Sequence, residues 1–114
     1  MQRRVSVRQQ TVRKPPPVGI EGLRENATQA ARLLRALSNE NRLMLLCLLF
    51  EGERTVGELN ESLPLSQSAL SQHLAKMREE GVLATRREAQ TVFYRIADAN
   101  AARLLALLKS MYCP

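Results

Sequence analysis

A run of short polar side chains in the middle of the chain is the first feature with an evident chemical use. Residues 65–74 read LSQSALSQHL, and their leucines are spaced for one face of a helix. The opposite side presents hydroxyls and amides, which both donate and accept hydrogen bonds and are small enough to let a helix enter the DNA major groove. The residues of this face and its flanks are Gln67, Ser68, Ser71, Gln72 and His73. The pattern predicts a DNA-reading helix, and its plain alternative is a solvated polar face.

Metal and cofactor chemistry has little support in the sequence. The chain contains one histidine, His73, and two cysteines, Cys47 and Cys113, so a four-ligand zinc site would need carboxylates or a second subunit. There is no C-x-x-C pair and no cofactor-binding loop. The sequence therefore predicts no cofactor, no metal and no enzymatic activity. His73 is then a base or phosphate contact, or a partly buried histidine at the edge of its helix.

The charge is concentrated at the start of the chain. The net charge is +6, and the first 19 residues contain five basic residues and no acid. Three prolines, Pro15 to Pro17, close this segment. We expect residues 1–19 to be a basic tail and linker, and residues 20–114 to form one domain. The tail suits a polyanion such as nucleic acid, but a solvated extension or a transit peptide has a similar composition. No apolar run approaches the ~18 residues of a membrane span, so we expect a cytoplasmic protein without membrane contact.

The pattern of apolar residues and helix signals predicts five helices and a hairpin. A T-x-x-E capping box at Thr55 predicts one helix start, and Gly81 predicts a left-handed stop. The second helix contains LMLLCLLF, which is apolar all round and predicts burial at the centre of the domain. The predicted helices are Leu23–Leu37, Asn39–Phe50 (capped by Ser38 or Asn39), Thr55–Leu63, Ser66–Glu80 and Ala99–Tyr112, and the predicted strands are Val82–Glu88 and Thr91–Ala97.

This order predicts a mainly α fold with a β-hairpin, the winged helix-turn-helix. The fourth helix is the reader, because the second helix of a helix-turn-helix enters the major groove. We expect the hairpin to group Arg86, Arg87 and Arg95 in one cluster on its two strands, with Gln90 at its tip. Such a wing suits the phosphate backbone or a minor groove, so Arg86, Arg87 and Gln90 join the predicted DNA contacts.

Between residues 25 and 114 the chain resembles ArsR-type bacterial repressors. The resemblance lies in LLRALSNENRLMLLCLL (33–49), in residues 55–96 with their SQSALSQHL segment, and in the terminal MYCP. It implies a homodimer formed through the first and last helices, with double-stranded operator DNA as the partner. Some members of this family ligate metals on the third or the last helix, so the resemblance also indicates where metal ligands would be expected. Here residues 58–63 contain no cysteine and residues 98–112 no histidine.

The two cysteines resemble those of the persulfide-responsive branch of this family. That resemblance implies a dithiol switch in which Cys47 and Cys113 respond to reactive sulfur species or oxidants. Three alternatives stay open at this point: a DNA-binding regulator or anti-silencer without thiol sensing, a repressor with an atypical metal site, and a sulfur-transfer or redox catalyst. A buried cysteine in an apolar helix is also most often a small core residue.

Overall fold

A computed structural model describes residues 19–113 of the chain. The basic tail and Pro114, with the predictions made for them, lie outside the described residues. The elements in chain order are α1 (Ile20–Leu37), α2 (Glu40–Phe50), β1 (Arg54–Thr55), α3 (Val56–Ser62), α4 (Gln67–Glu79), β2 (Leu83–Glu88), β3 (Thr91–Ile96) and α5 (Ala99–Tyr112). This is the predicted winged helix-turn-helix: α3 and α4 form the helix-turn-helix, and the β2–β3 hairpin forms the wing.

Local signals in the sequence fix most of these boundaries. Asn39, rather than Ser38, caps α2 by accepting a hydrogen bond from the backbone N–H of Arg42. The capping box of α3 forms as predicted, because Thr55 and Glu58 each bond the backbone N–H of the other. Leu63 is extended before Pro64, which ends α3 and starts the turn into α4. Helix α1 begins at Ile20, three residues before its predicted start.

The sheet has one strand more than the sequence predicts. Its order is β1-β3-β2, and both pairings are antiparallel. The added strand β1 is two residues long, with Arg54 opposite Tyr94 and Thr55 opposite Phe93. A segment this short has no alternating pattern, so nothing local distinguishes it from a loop.

The core lies where the end of α1, the helices α2, α3, α4 and α5, and the base of the wing meet. Its largest fully buried side chains are Leu45, Leu46, Leu59, Leu70, Leu74, Met77 and Leu105. On α4, Leu70, Leu74 and Met77 all face this core, as the spacing predicted. Burying these three side chains fixes the rotation of α4 about its axis and turns its polar face outward.

The prediction that α2 is buried all round is wrong for the single chain. Only Leu45, Leu46 and Leu49 are buried, while Cys47 is partly exposed and Phe50 is 38% exposed. The all-apolar sequence therefore supplies a core face and a second apolar face that the described residues leave partly open.

Gly81 provides the first test of this architecture. It links α4 to the wing at φ +83°, where any side chain strains the backbone, although no atom lies within 4 Å of the point that a Cβ would occupy. We expect Gly81→Ala to lower the free energy of unfolding by about 1 kcal/mol. Gly57→Ala is the matched control: it lies inside α3 with only an ordinary contact at 3.9 Å, so it should raise that free energy by about 0.5 kcal/mol. Urea unfolding measures both, and equal shifts of one sign would contradict the backbone explanation.

Candidate nucleic-acid interface and thiol pair

The outer face of α4 is a continuous polar surface. Gln67, Ser68, Ser71 and Gln72 are all exposed, opposite the buried Leu70–Leu74–Met77 side. Ser66 caps the helix by accepting a hydrogen bond from the backbone N–H of Ala69 at 3.1 Å. The first turn contains no acidic residue, so the positive end of the helix dipole is not offset there. This end can accept an anion or the edge of a base pair.

His73 lies at the flank of this face and is only partly exposed. Its Nδ1 accepts a hydrogen bond from Nε of Arg42 on α2, at 3.4 Å. The ring thus lies at the edge of its helix, as one of the two sequence interpretations has it. Its second ring nitrogen, Nε2, takes no part in the bond to Arg42. The sequence could not reveal Arg42 as the partner, because the two residues are 31 positions apart.

The register of the wing separates the arginines that the sequence grouped together. Arg86 is opposite Phe93 and Ala84 is opposite Arg95, so Arg86 and Arg95 share one face of the hairpin. Arg87 is opposite Val92 and projects from the other face. The expectation that the three arginines form one cluster is therefore wrong, since side chains alternate between the faces of a strand.

Arg86 is held by protein groups on its own face. Its Nε lies 2.8 Å and 3.0 Å from the two carboxylate oxygens of Glu53, and its guanidinium carbon lies 4.4 Å from the centre of the Phe93 ring. Its side chain is still 45% exposed. The ion pair reduces the positive charge that Arg86 can offer to a phosphate, and it ties the wing to the loop that follows α2.

Arg87 projects from the face that looks toward α4. That face also carries Leu83, which is buried, and Tyr94, which lines a groove of about 400 Å³ with Ser71, Ala75, Arg78 and Glu79. No salt bridge involves Arg87 or Arg78 within residues 19–113. Gln90 is exposed at the hairpin tip, in a turn where Ala89 has a φ of 57°. The groove is thus lined by one basic and one acidic residue, Arg78 and Glu79, and Arg87 lies on the same face of the wing as its Tyr94.

Both cysteines are free thiols and differ in exposure. Cys47 is partly exposed and packs against the core from α2, whereas Cys113 is exposed at the end of α5. The ammonium of Lys109 lies 5.7 Å from the ring centre of Phe50, which joins the same two helices. Cys47 precedes Phe50 by three residues and Cys113 follows Lys109 by four, so each thiol is about one helical turn from this contact.

Large apolar side chains are exposed on one set of elements, namely α1, the end of α2, and α5. They are Ile20, Leu23, Leu34, Phe50, Leu107, Met111 and Tyr112, with exposed fractions from 38% to 77%. Within α5, Met111 is 54% exposed, Ala101 and Leu105 are buried, and Leu104 and Leu108 are partly buried against the core. A surface of this kind on a small domain marks a binding site for another macromolecule.

Within residues 19–113, no three histidine, cysteine or acidic side chains lie close enough together to hold a metal ion. None of the helices in that range is both long and apolar enough to cross a bilayer.

The comparisons with known proteins agree on one family. The family model for bacterial regulatory proteins of the arsR family matches residues 39–85. The transcriptional activator HlyU of Vibrio cholerae is 46% identical over 88% of this chain and 93% of its own length. The biofilm growth-associated repressor of Agrobacterium fabrum is 44% identical over 88% of each chain.

Solved structures give the same result for the fold. Reduced HlyU from Vibrio cholerae superposes with a TM-score of 0.79, at 46% identity, over 83% of this chain and all of its own. A homodimeric winged helix-turn-helix DNA-binding domain from Mycobacterium bovis has a TM-score of 0.70, at 34% identity, and covers 78% of this chain and 82% of its own.

The difference in exposure predicts the order in which the thiols react. Iodoacetamide under reducing conditions should modify Cys113 several-fold faster than Cys47, because Cys47 packs against the core. Intact-mass and peptide mass spectrometry measure the two rates, and Cys113→Ser provides the matched control by leaving only the slow phase. Faster modification of Cys47 would contradict this placement of the two sulfurs.

Proposed function

Because the chain belongs to the arsR family of bacterial regulatory proteins, which are transcription regulators rather than enzymes, we propose that it is a repressor controlled by a thiol switch. In this proposal it binds operator DNA as a homodimer, and a bridge between Cys47 and Cys113 releases it. The observation that carries the DNA-binding part is the exposed polar face of α4 opposite its buried Leu70, Leu74 and Met77.

The proposed DNA contacts divide by their chemistry. Gln67, Ser68, Ser71 and Gln72 lie in the first half of α4, where a recognition helix meets base edges. Arg87 and Gln90 on the wing reach the phosphate backbone, which carries most of the affinity. Arg86 contributes mainly by holding the wing in place, because its guanidinium is paired with Glu53. His73 belongs to the flank of the reading face.

The proposed dimer interface is the exposed apolar surface of α1 and α5. A domain of this size rarely leaves so many large apolar side chains in water, so in this proposal a second copy of the chain buries them. The homodimeric relative from Mycobacterium bovis supports this assembly. Two recognition helices in one dimer then have to reach successive major grooves, about 34–36 Å apart.

The proposed switch is a thiol–persulfide exchange. The Cys113 thiolate attacks the outer sulfur of a low-molecular-weight persulfide, which leaves a protein persulfide and releases the thiolate of the donor. The Cys47 thiolate then attacks the inner sulfur of that persulfide, forming the disulfide and releasing hydrosulfide. Cys113 is placed first because it is the more exposed thiol. Insertion of further sulfur atoms by the same exchange gives a longer bridge.

The consequence of a bridge follows from where the two sulfurs lie. One is on α2, which packs in the core, and the other ends α5, which carries part of the proposed dimer interface. Tying these helices together shifts α5 relative to the core that holds α4, and this changes the spacing of the two recognition helices. Couplings of this kind are typically ~1–3 kcal/mol, or 5–150-fold in affinity.

A second candidate, a DNA-binding regulator or anti-silencer without thiol sensing, has one observation in its favour. Cys47 packs against the buried cluster like any small apolar residue, and this alone accounts for a cysteine there. This regulator would bind DNA equally well in its reduced and oxidised forms.

Arg87 and Arg95 form a matched pair for testing the wing. We expect Arg87→Ala to weaken binding to all duplexes and to reduce the slope of log affinity against log salt by about 2, because each subunit of the dimer loses one phosphate contact. Arg95→Ala removes the same charge from the opposite face and should leave the slope nearly unchanged. Fluorescence anisotropy with a duplex selected from a random pool measures both slopes. The reverse ranking would contradict the placement of the wing.

The switch is tested by binding at fixed salt before and after treatment with glutathione persulfide. We expect the reduced wild type to bind the selected duplex and the treated protein to lose at least about fivefold in affinity, with recovery in dithiothreitol. Cys47→Ser and Cys113→Ser should both bind DNA and keep their affinity after treatment.

Mass spectrometry of the treated wild type should find a peptide pair joined through Cys47 and Cys113. Release of the Cys47→Ser variant by persulfide would contradict the switch. Absence of any sequence-selective binding by the reduced wild type would instead contradict the DNA-reading role.

A further inference from the structure

The contact between Arg42 and His73 has a chemical consequence beyond joining two helices. Arg42 is in the first turn of α2, and His73 is on α4 at the edge of the proposed reading face. Both side chains are partly buried, and the Nε–H of Arg42 donates to Nδ1 of His73 at 3.4 Å. This bond directly links the side chains of α2 and α4.

The direction of this hydrogen bond is fixed by the chemistry of arginine. A guanidinium has five N–H donors and no acceptor, and it stays protonated in proteins. Nδ1 of His73 must therefore offer its lone pair and cannot carry the proton. In a neutral imidazole the proton is then on Nε2, so the nitrogen that is not bonded to Arg42 is a hydrogen-bond donor.

The position of His73 places this donor next to the DNA-reading residues. His73 follows Gln72 by one residue and lies about 100° around the helix from it, between the exposed polar face and α2. No salt bridge holds Arg42 in another direction within residues 19–113. Arg42 thus holds the ring from the α2 side.

We infer that Arg42 is a positioning residue that keeps His73 in its Nε2–H tautomer and orients this donor toward an acceptor atom of bound DNA. The inference rests on the proposed DNA-reading role of α4. It adds Arg42 as a residue that acts through His73, and it specifies which nitrogen of His73 donates to DNA. The acceptor is a phosphate oxygen or a base edge, which share the same hydrogen-bond chemistry. Since α2 also carries Cys47, the same pair connects the proposed sensing helix with the reading helix.

The tautomer can be measured without DNA. His73 is the one histidine of the chain, so ¹⁵N-histidine labelling gives a single pair of ring nitrogen signals, and both belong to this residue. Their couplings to the ring C–H protons distinguish Nδ1 from Nε2. At pH 8.5, above the range in which imidazoles ordinarily titrate, the wild type should show one tautomer with the proton on Nε2. In Arg42→Met the two nitrogen signals should move toward each other, because both tautomers become populated. Arg32→Met, which removes an exposed charge from α1, should leave the signals unchanged.

The contact with DNA is measured by a double-mutant cycle that keeps the charge at position 42. Arg42→Lys and His73→Ala should each weaken binding to the selected duplex about tenfold, and the double variant should bind about as weakly as His73→Ala. Equal losses on the selected and a scrambled duplex assign the acceptor to phosphate, and a loss on the selected duplex alone assigns it to a base. Circular-dichroism melting shows that each variant is folded.

Three outcomes overturn this inference: a proton on Nδ1 in the wild type, ring signals that do not respond to Arg42→Met, or independent, additive losses of affinity in the cycle. These outcomes are distinct from failure of the proposed function, in which the wild type itself selects no DNA sequence.

Discussion

The packing of Leu70, Leu74 and Met77 into the core is the interaction on which the rest of the structure depends. These side chains are almost completely buried, and they fix both the position and the rotation of α4. The exposed polar residues between them consequently face outward, and their side chains make no hydrogen bonds to other groups within residues 19–113. Hydrophobic burial on one side of the helix therefore presents the proposed reading surface, and among its residues His73 alone is assigned a side-chain partner, Arg42.

Apolar side chains also form the surface that we propose as the dimer interface. Leucine and alanine supply most of the core, and within residues 19–113 seven large apolar side chains remain exposed on α1, α5 and the end of α2. In the proposed dimer this surface is buried against its copy. The proposed sulfur bridge would join α2, which packs in the core, to the end of α5, which carries part of that surface. Forming the bridge would therefore shift the dimer surface relative to the core.

Local patterns in the sequence were sufficient for the helices, the hairpin and the outward face of α4, because spacing, capping boxes and a left-handed glycine act within a few residues. They failed where partners are distant in sequence. Strand β1 is defined only by its pairing with Tyr94 and Phe93, and the register of the hairpin decides that Arg95 shares a face with Arg86 and not with Arg87. The partner of His73 is 31 positions away. The burial of α2 was overestimated, because an apolar sequence does not reveal whether the second face meets its own core or another subunit.

Thr55 has two structural duties that connect the wing with the helix-turn-helix. It pairs with Phe93 in the sheet, while its hydroxyl and its amide complete the capping box of α3 with Glu58. Opening this edge of the sheet would also expose the start of α3, so amide hydrogen exchange in the two regions should report a single cooperative unit. The wing is therefore joined to the helix-turn-helix through Thr55. In the proposed complex with DNA, a movement of the wing would therefore also disturb the hydrogen bonds at the start of α3.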